Sequence, residues 1–230
     1  MKACFFTTTV LVLACNALFA QDKVIKINTI KDKDALLKAI YVYPDFTEGR
    51  VHLKDNSTVE AWLNYNRLNN EILFIGDKKD TLALSSPETT DNIIIGSDIY
   101  FYVSGVYVRQ LTAYPTINLV QKSRLQYIGT EKKADGYGSY SNASANESIS
   151  NVKNGVQSRI GVDENQTYTL SDTYYLFTPS KSLLPANKKN FLKSFSKHEK
   201  ELNDYIGTNN ISFEKREELE KLLQYAQSLN

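Results

Sequence analysis

Two histidines, His52 and His198, are the side chains in this sequence best suited to acid–base catalysis or to metal binding. Imidazole titrates near neutral pH and is the commonest metal ligand in proteins. His52 has charged residues two positions away on each side, and His198 stands between Lys197 and Glu199. Neither belongs to an HExxH motif or has a second histidine nearby. We therefore interpret both as surface residues and predict no zinc site and no His-dependent triad.

Carboxylates offer a second route to catalysis, because two Asp or Glu side chains about 5–9 Å apart can hydrolyse a glycosidic bond. The chain has 26 acidic residues. Those near the ends of predicted strands are Glu48, Asp55, Glu60 and Glu71. Since sequence alone brings no two of them together, a carboxylate-dependent, glycosidase-like hydrolase remains an alternative. No serine elbow, phosphate loop or dinucleotide fingerprint occurs, and we predict no cofactor and no catalytic residue.

Trp62, the single tryptophan, gives the strongest indication of a binding residue. Its segment alternates with apolar residues that are expected to point into the core: Val59, Ala61, Leu63 and Tyr65. The indole should therefore point to the opposite face, where it would stack on a sugar or a partner protein. The alternative is that the C-terminal helices cover it. Tyr137 and Tyr140 are further binding candidates, with a mobile segment as the alternative explanation.

Residues 1–20 predict an export signal. A positive charge at Lys2 precedes a short apolar run diluted by threonines, and no further charge occurs before Asp22. A membrane helix would need roughly 20 apolar residues. Cleavage after Ala20 would start the mature chain at Gln21, although the large Leu18 leaves the exact site open. We expect the protein in the periplasm, at the outer-membrane surface or outside the cell.

Both cysteines, Cys4 and Cys15, lie inside this signal. Its removal leaves a chain without disulfides or a thiol nucleophile. The alternative is that Val12-Leu13-Ala14-Cys15 acts as a lipobox, so that an acylated Cys15 tethers the protein to a membrane. Membrane association is expected only in that case.

The charge balance excludes one class of partner. With 27 Lys and Arg against 26 Asp and Glu, the chain has no excess of basic residues. Binding to a phosphate backbone requires a basic stripe, which the sequence does not show. We therefore predict no nucleic-acid partner.

The predicted fold is α+β, with a mainly antiparallel β-meander that closes as a roll, barrel or sandwich. Short segments of alternating polarity run from residue 49 to about 128, and their polar breaks are too short for crossover helices. Ile93-Ile94-Ile95 predicts a central strand covered on both faces. Residues 21–178 form this β-rich domain, and its Gly/Ser/Asn-rich stretch at 130–164 predicts a mobile loop.

Residues 179–230 predict two amphipathic helices that pack as a hairpin on the sheet. Asn187 is expected to cap the first helix and Gly207 to end it. Ser212 is expected to cap the second helix.

Several stretches together resemble a group of uncharacterised exported proteins of Bacteroidota. They are residues 43–49 (YPDFTEG), 63–66 (LNYN), 80–84 (DTLAL), 136–138 (GYG) and 222–225 (LLQY). The resemblance implies an envelope or extracellular location and transfers no activity and no functional residue.

The sequence thus predicts an exported, non-enzymatic module that binds a protein or a glycan. The carboxylate-dependent hydrolase and a structural component of the envelope are the alternatives.

The signal prediction is tested on protein purified from the envelope or medium of producing cells. We expect N-terminal sequencing and intact mass to give a mature chain that begins at Gln21. A chain beginning at acylated Cys15, with maturation blocked by globomycin, would instead establish the lipoprotein. A secreted chain that retains residues 1–20 would contradict both.

Overall fold

A computed structural model of the chain describes residues 23–28, 33–131 and 165–229. The predicted signal with Cys4 and Cys15, and most of the predicted loop at 130–164 with Tyr137 and Tyr140, lie outside the described residues.

The described residues form an α+β fold built on one antiparallel sheet, which confirms the predicted class. Its strands are β1 (Lys23–Asn28), β2 (Thr47–Leu53), β3 (Thr58–Asn66), β4 (Glu71–Ile75), β5 (Thr81–Ala83), β6 (Thr90–Ile95), β7 (Asp98–Val103), β8 (Val106–Gln110), β9 (Asn118–Glu131), β10 (Asn165–Phe177) and β11 (Leu183–Pro185). A short 3₁₀ turn at Pro87–Thr89 leads into β6. The sheet is open, so the predicted closure into a barrel is wrong. Its order is β1-β10-β9-β8-β7-β6-β2-β3-β4-β5, with β11 paired to β10.

This order joins two meanders. Strands β2 to β5 are sequential neighbours, as are β6 to β10, and the two sets meet where β2 pairs with β6. The turn residues explain the sequential part. Asn56, between β2 and β3, has φ +68°, a conformation that asparagine tolerates better than most residues. Asp55 accepts hydrogen bonds from the backbone N–H and the hydroxyl of Ser57, which lower the pKa of Asp55 below its ordinary value.

The described helices are α1 (Lys33–Ile40), α2 (Lys188–Ser194), α3 (Glu199–Thr208) and α4 (Arg216–Ser228). Asn187 caps α2 as predicted, since its side chain accepts a hydrogen bond from the backbone N–H of Asn190. Within the described ranges, no helix is both long enough and apolar enough to span a membrane.

The prediction of one continuous helix from Asn187 to Gly207 is wrong. The chain leaves α-helical geometry at Phe195 (φ −122°, ψ 44°) and passes through a 3₁₀ turn, Ser196–His198, into α3. The break lets Phe195 remain buried with Phe191. Ser212 also does not cap the last helix, which begins four residues later, at Arg216.

The two faces of the sheet differ in what covers them. We call the face that carries Val51, Ile93 and Tyr100 the inner face and the opposite one the outer face. On the inner face, α1 packs near Leu125, and α2, α3 and α4 pack around Leu119 and Leu176. Between these helices the inner-face side chains of β2, β3, β4, β6, β7 and β8 pack on one another. The outer face has one smaller buried cluster, formed by Val108, Val120 and Phe177.

At Gly49 the two meanders approach each other too closely for a side chain. A Cβ atom there would lie 2.4 Å from the backbone oxygen of Ile94 and 2.7 Å from Cδ1 of Leu63. Both distances are shorter than a real contact allows, and the carbonyl belongs to the ladder and cannot rotate away. A side chain at this position would therefore force β2 away from β6.

We expect Gly49→Ala to lower the free energy of unfolding by about 1–3 kcal/mol through this overpacking. Gly207→Ala is the matched control, because Gly207 lies inside α3 with nothing within 4 Å of its Cβ position. That change should raise the free energy of unfolding by up to about 1 kcal/mol through helix propensity. Urea unfolding followed by circular dichroism measures both. Equal stability of Gly49→Ala and the wild type would contradict the close approach.

Candidate functional site

Trp62 lies on the outer face of β3 and remains 53% exposed. Leu63 and Tyr65 are buried in the inner-face core, as the alternation predicted. Val59 lies on the same face but is 51% exposed, so its predicted place in the core is wrong. The expectation that C-terminal helices cover the indole is wrong, because α2, α3 and α4 pack on the inner face at β9 and β10. The indole is therefore a flat, solvent-accessible surface on a rigid strand.

Charged side chains surround Trp62 on the same face. Glu48 of β2 is its direct cross-strand partner, and Arg50 faces Glu60, the residue two positions before Trp62. Cross-strand neighbours have Cβ atoms about 4.5–5.5 Å apart, and diagonal neighbours about 7–8 Å. Among the described residues, none of these three side chains has a hydrogen-bond or salt-bridge partner. Two carboxylates and one guanidinium group thus lie beside the indole ring, and each can still form hydrogen bonds.

One border of this surface is formed by residues 41–46, which run along β3. Asn64 holds them, since its side chain accepts a hydrogen bond from the N–H of Tyr43 and donates to the carbonyl of the same residue. Asn64 is buried as a result. The outer face is therefore covered immediately after Trp62 and open before it.

Farther along the same face lies a cleft of about 640 Å³. Its lining includes Ile94, the cross-strand partner of Arg50 on β6. Its lining combines apolar and hydrogen-bonding side chains: His52, Leu53, Lys54, Asn56, Ser57, Asp91, Asn92, Ile94, Ile99, Phe101 and Gln110. Ile93 and Ile95 are fully buried, but Ile94 lies in the cleft, so the expectation that this strand is covered on both faces is wrong.

Several polar groups at the cleft already have protein partners. Lys181 forms a 2.5 Å ion pair with Asp91, and this hydrogen bond holds the pKa of Asp91 below its ordinary value. The Lys54 ammonium donates to the carbonyl of Glu88 at 2.6 Å. The Nδ1 atom of His52 lies 2.9 Å from the Thr58 hydroxyl. These contacts fix the walls of the cleft.

A second polar constellation lies on the inner face and was not found from the sequence. The Tyr43 hydroxyl donates to Asp98 at 2.6 Å, and the Tyr100 hydroxyl lies 3.0 Å from that of Tyr43. Because the Tyr43 proton is used on Asp98, Tyr100 must donate to Tyr43. Arg109 contacts Asp98 at 3.3 Å and donates to Gln121 at 2.7 Å.

This inner-face network ties residue 43 to β7, β8 and β9. Burial raises the pKa of Tyr100 to about 12 and also raises the pKa of Tyr43, so both phenols remain protonated donors near neutral pH. Its groups bond to one another and form a brace. The sequence contains only a weak signal for it, polar residues at inward positions of β7, β8 and β9.

The remaining predicted residues do not converge. Of the four acids, Glu48 and Glu60 lie near one another as diagonal neighbours, but both are exposed. Asp55 lies in a turn, and Glu71 lies on β4. His52 and His198 belong to separate elements, and no group of three potential metal ligands occurs within the described ranges.

We expect Trp62→Ala to lower the free energy of unfolding by about 1 kcal/mol, because the side chain is already half exposed. Phe191→Ala, which empties a fully buried position among the C-terminal helices, should cost about 3–5 kcal/mol. Urea unfolding monitored by circular dichroism compares the two. A loss at Trp62 as large as that at Phe191 would show that the indole is covered.

Comparisons with protein-family models, with curated proteins and with solved structures found no match for the chain. The resemblance to exported proteins of Bacteroidota therefore stays a prediction.

Proposed function

We propose that the protein is an exported, non-enzymatic module that binds a glycan or a protein in the periplasm or at the cell surface. The binding surface is the outer face of the sheet at Trp62, Glu48, Arg50 and Glu60, which we call the Trp62 surface. The observation that carries this proposal is the exposed indole beside three charged side chains without partners in the described structure.

Physical support comes from the favourable free energy that ligand binding at this surface would release. Half of the indole remains to be removed from water, and aromatic residues together with Arg dominate the energetics of protein recognition sites. The three charged side chains can form new charge-assisted hydrogen bonds without first breaking bonds to described residues. The paired strands also fix the backbone positions of these four residues before any ligand arrives, which limits the backbone entropy lost on binding.

The geometry gives the hydrolase alternative no comparable support. A glycosidase of the usual kind works with one carboxylic acid in a partly desolvated environment and a second carboxylate across the scissile bond. Glu48 and Glu60 are both exposed on the same flat face. The acid in the adjoining cleft, Asp91, is paired with Lys181.

The test uses immobilised mature protein and a detergent extract of the envelope of the producing cells. We expect the wild type to retain extract components that Trp62→Ala loses by at least about tenfold, as for a residue at the centre of a recognition site. Biolayer interferometry measures the response.

Val59→Ala is the matched control for this experiment. Val59 is on the same strand and 51% exposed, but it lies on the opposite face. It should bind like the wild type. Equal retention by Trp62→Ala and the wild type, or retention of nothing by any form, would refute the Trp62 surface as a binding site.

A further inference from the structure

We infer that the ligand of the Trp62 surface is a glycan, bound as an extended chain that stacks on Trp62 and continues into the cleft beside β6 and β7. The inference rests on the proposed function and specifies the chemical class of its ligand.

The setting of the indole favours a sugar as its partner. The core of a protein–protein interface is depleted of Asp and Glu, because burying a carboxylate there costs desolvation. Trp62 has the opposite setting, with Glu48 directly across and Glu60 two residues before it on the same strand. A sugar ring matches this arrangement, since its C–H face covers the indole while the hydroxyls around its edge both donate and accept hydrogen bonds.

The exposed apolar side chains of the described residues are scattered over the sheet and form no patch around Trp62. In the described residues the large exposed ones are Val24, Val59, Trp62, Leu82 and Ile128. They lie on four different strands, and Val59 is on the opposite face from Trp62. A stable protein interface needs about 800 Å² on each partner around a contiguous apolar core. The Trp62 surface has a single large apolar group and no such core.

The outer face extends from Trp62 across the neighbouring strands to the cleft. From β3 to β8 the outer face crosses four interstrand spacings, about 19 Å in total. Along this line lie the indole, the Arg50–Ile94 pair and the cleft, with Asn92 and Gln110 among its polar groups. A cleft of about 640 Å³ has the size of a small-ligand pocket. Alternating apolar patches and hydrogen-bonding groups suit an oligosaccharide, whose faces alternate in the same way.

The charges along this line also indicate which class of glycan fits. Glu48 and Glu60 oppose Arg50, and Asp91 at the cleft is neutralised by Lys181. The cations along this line, Arg50, Lys54 and Lys181, are matched by Glu48, Glu60 and Asp91, so a polyanionic chain would find no excess of positive charge. The fitting glycan is therefore uncharged or nearly so, with hydroxyl and amide groups as its bonding partners.

The decisive experiment divides the envelope extract into two portions. One is digested with proteinase K, which is then inactivated and removed together with the peptides. The other is oxidised with periodate, which cleaves vicinal diols of sugars, and is then reduced and dialysed. Both are applied to the immobilised mature protein. We expect the protease-treated portion to keep the Trp62-dependent response and the periodate-treated portion to lose at least about tenfold of it.

Trp62 also supplies a direct signal, because it is the single tryptophan of the chain. The peptide-free glycan fraction contains no other indole, so a change in tryptophan emission on titration reports the ring itself. We expect a blue shift and a saturating change in intensity. Arg50→Ala should raise the midpoint of this titration by about three- to tenfold, and Val59→Ala by less than about twofold.

The outcomes separate the two proposals. A Trp62-dependent response that protease removes and periodate leaves would overturn the glycan inference and identify a protein partner, while the proposed function stands. Absence of any Trp62-dependent response from the untreated extract would overturn both. A glycan response that Trp62→Ala leaves unchanged would place the site elsewhere and also refute the inference.

Discussion

The structure depends on the pairing of β2 with β6, which joins two meanders into one sheet. Within each meander the paired strands follow one another along the chain, whereas this junction pairs strands about 40 residues apart. The inner face of the junction is the middle of the core, where Val51 and Ile93 are partners. This pairing requires a glycine at position 49, because any side chain there would collide with the backbone of β6.

The junction also determines which face remains available for binding. All described helices pack on the inner face, where the brace of Tyr43, Asp98 and Arg109 fills the region between α1 and the C-terminal helices. The Arg109–Asp98 ion pair is partly exposed, and Tyr43 and Gln121 add further hydrogen bonds to its two groups. The polar groups of the inner face are thereby committed to the fold. Those at Trp62 are not, and this difference separates the structural network from the proposed binding surface.

Local patterns predicted the elements well, and contacts distant in sequence account for what was missed. The alternation correctly placed Trp62 on the face opposite to that of Leu63 and Tyr65. The predicted Asn187 cap and the apolar stripes of the last helices are also present. The break at Phe195 could not be predicted, because it follows from how Phe195 and Phe191 enter the core together. The charged ring around Trp62 was also inaccessible, since Glu48 and Arg50 become its neighbours only through the register of β2 on β3. The inner brace required the positions of four separate segments.

Register links the fold to the binding surface, because side chains alternate between faces with a period of two residues. A slip of one residue between β2 and β3 would turn Glu48 and Arg50 to the inner face and bring Gly49 to the outer face beside the indole. Gly49 lies between those two charged residues in the sequence. Its missing side chain lets β2 approach β6 on one side, while its neighbours face Trp62 and Glu60 on the other. The same short segment therefore forms the central junction of the core and places Glu48 and Arg50 beside Trp62 on the proposed binding surface.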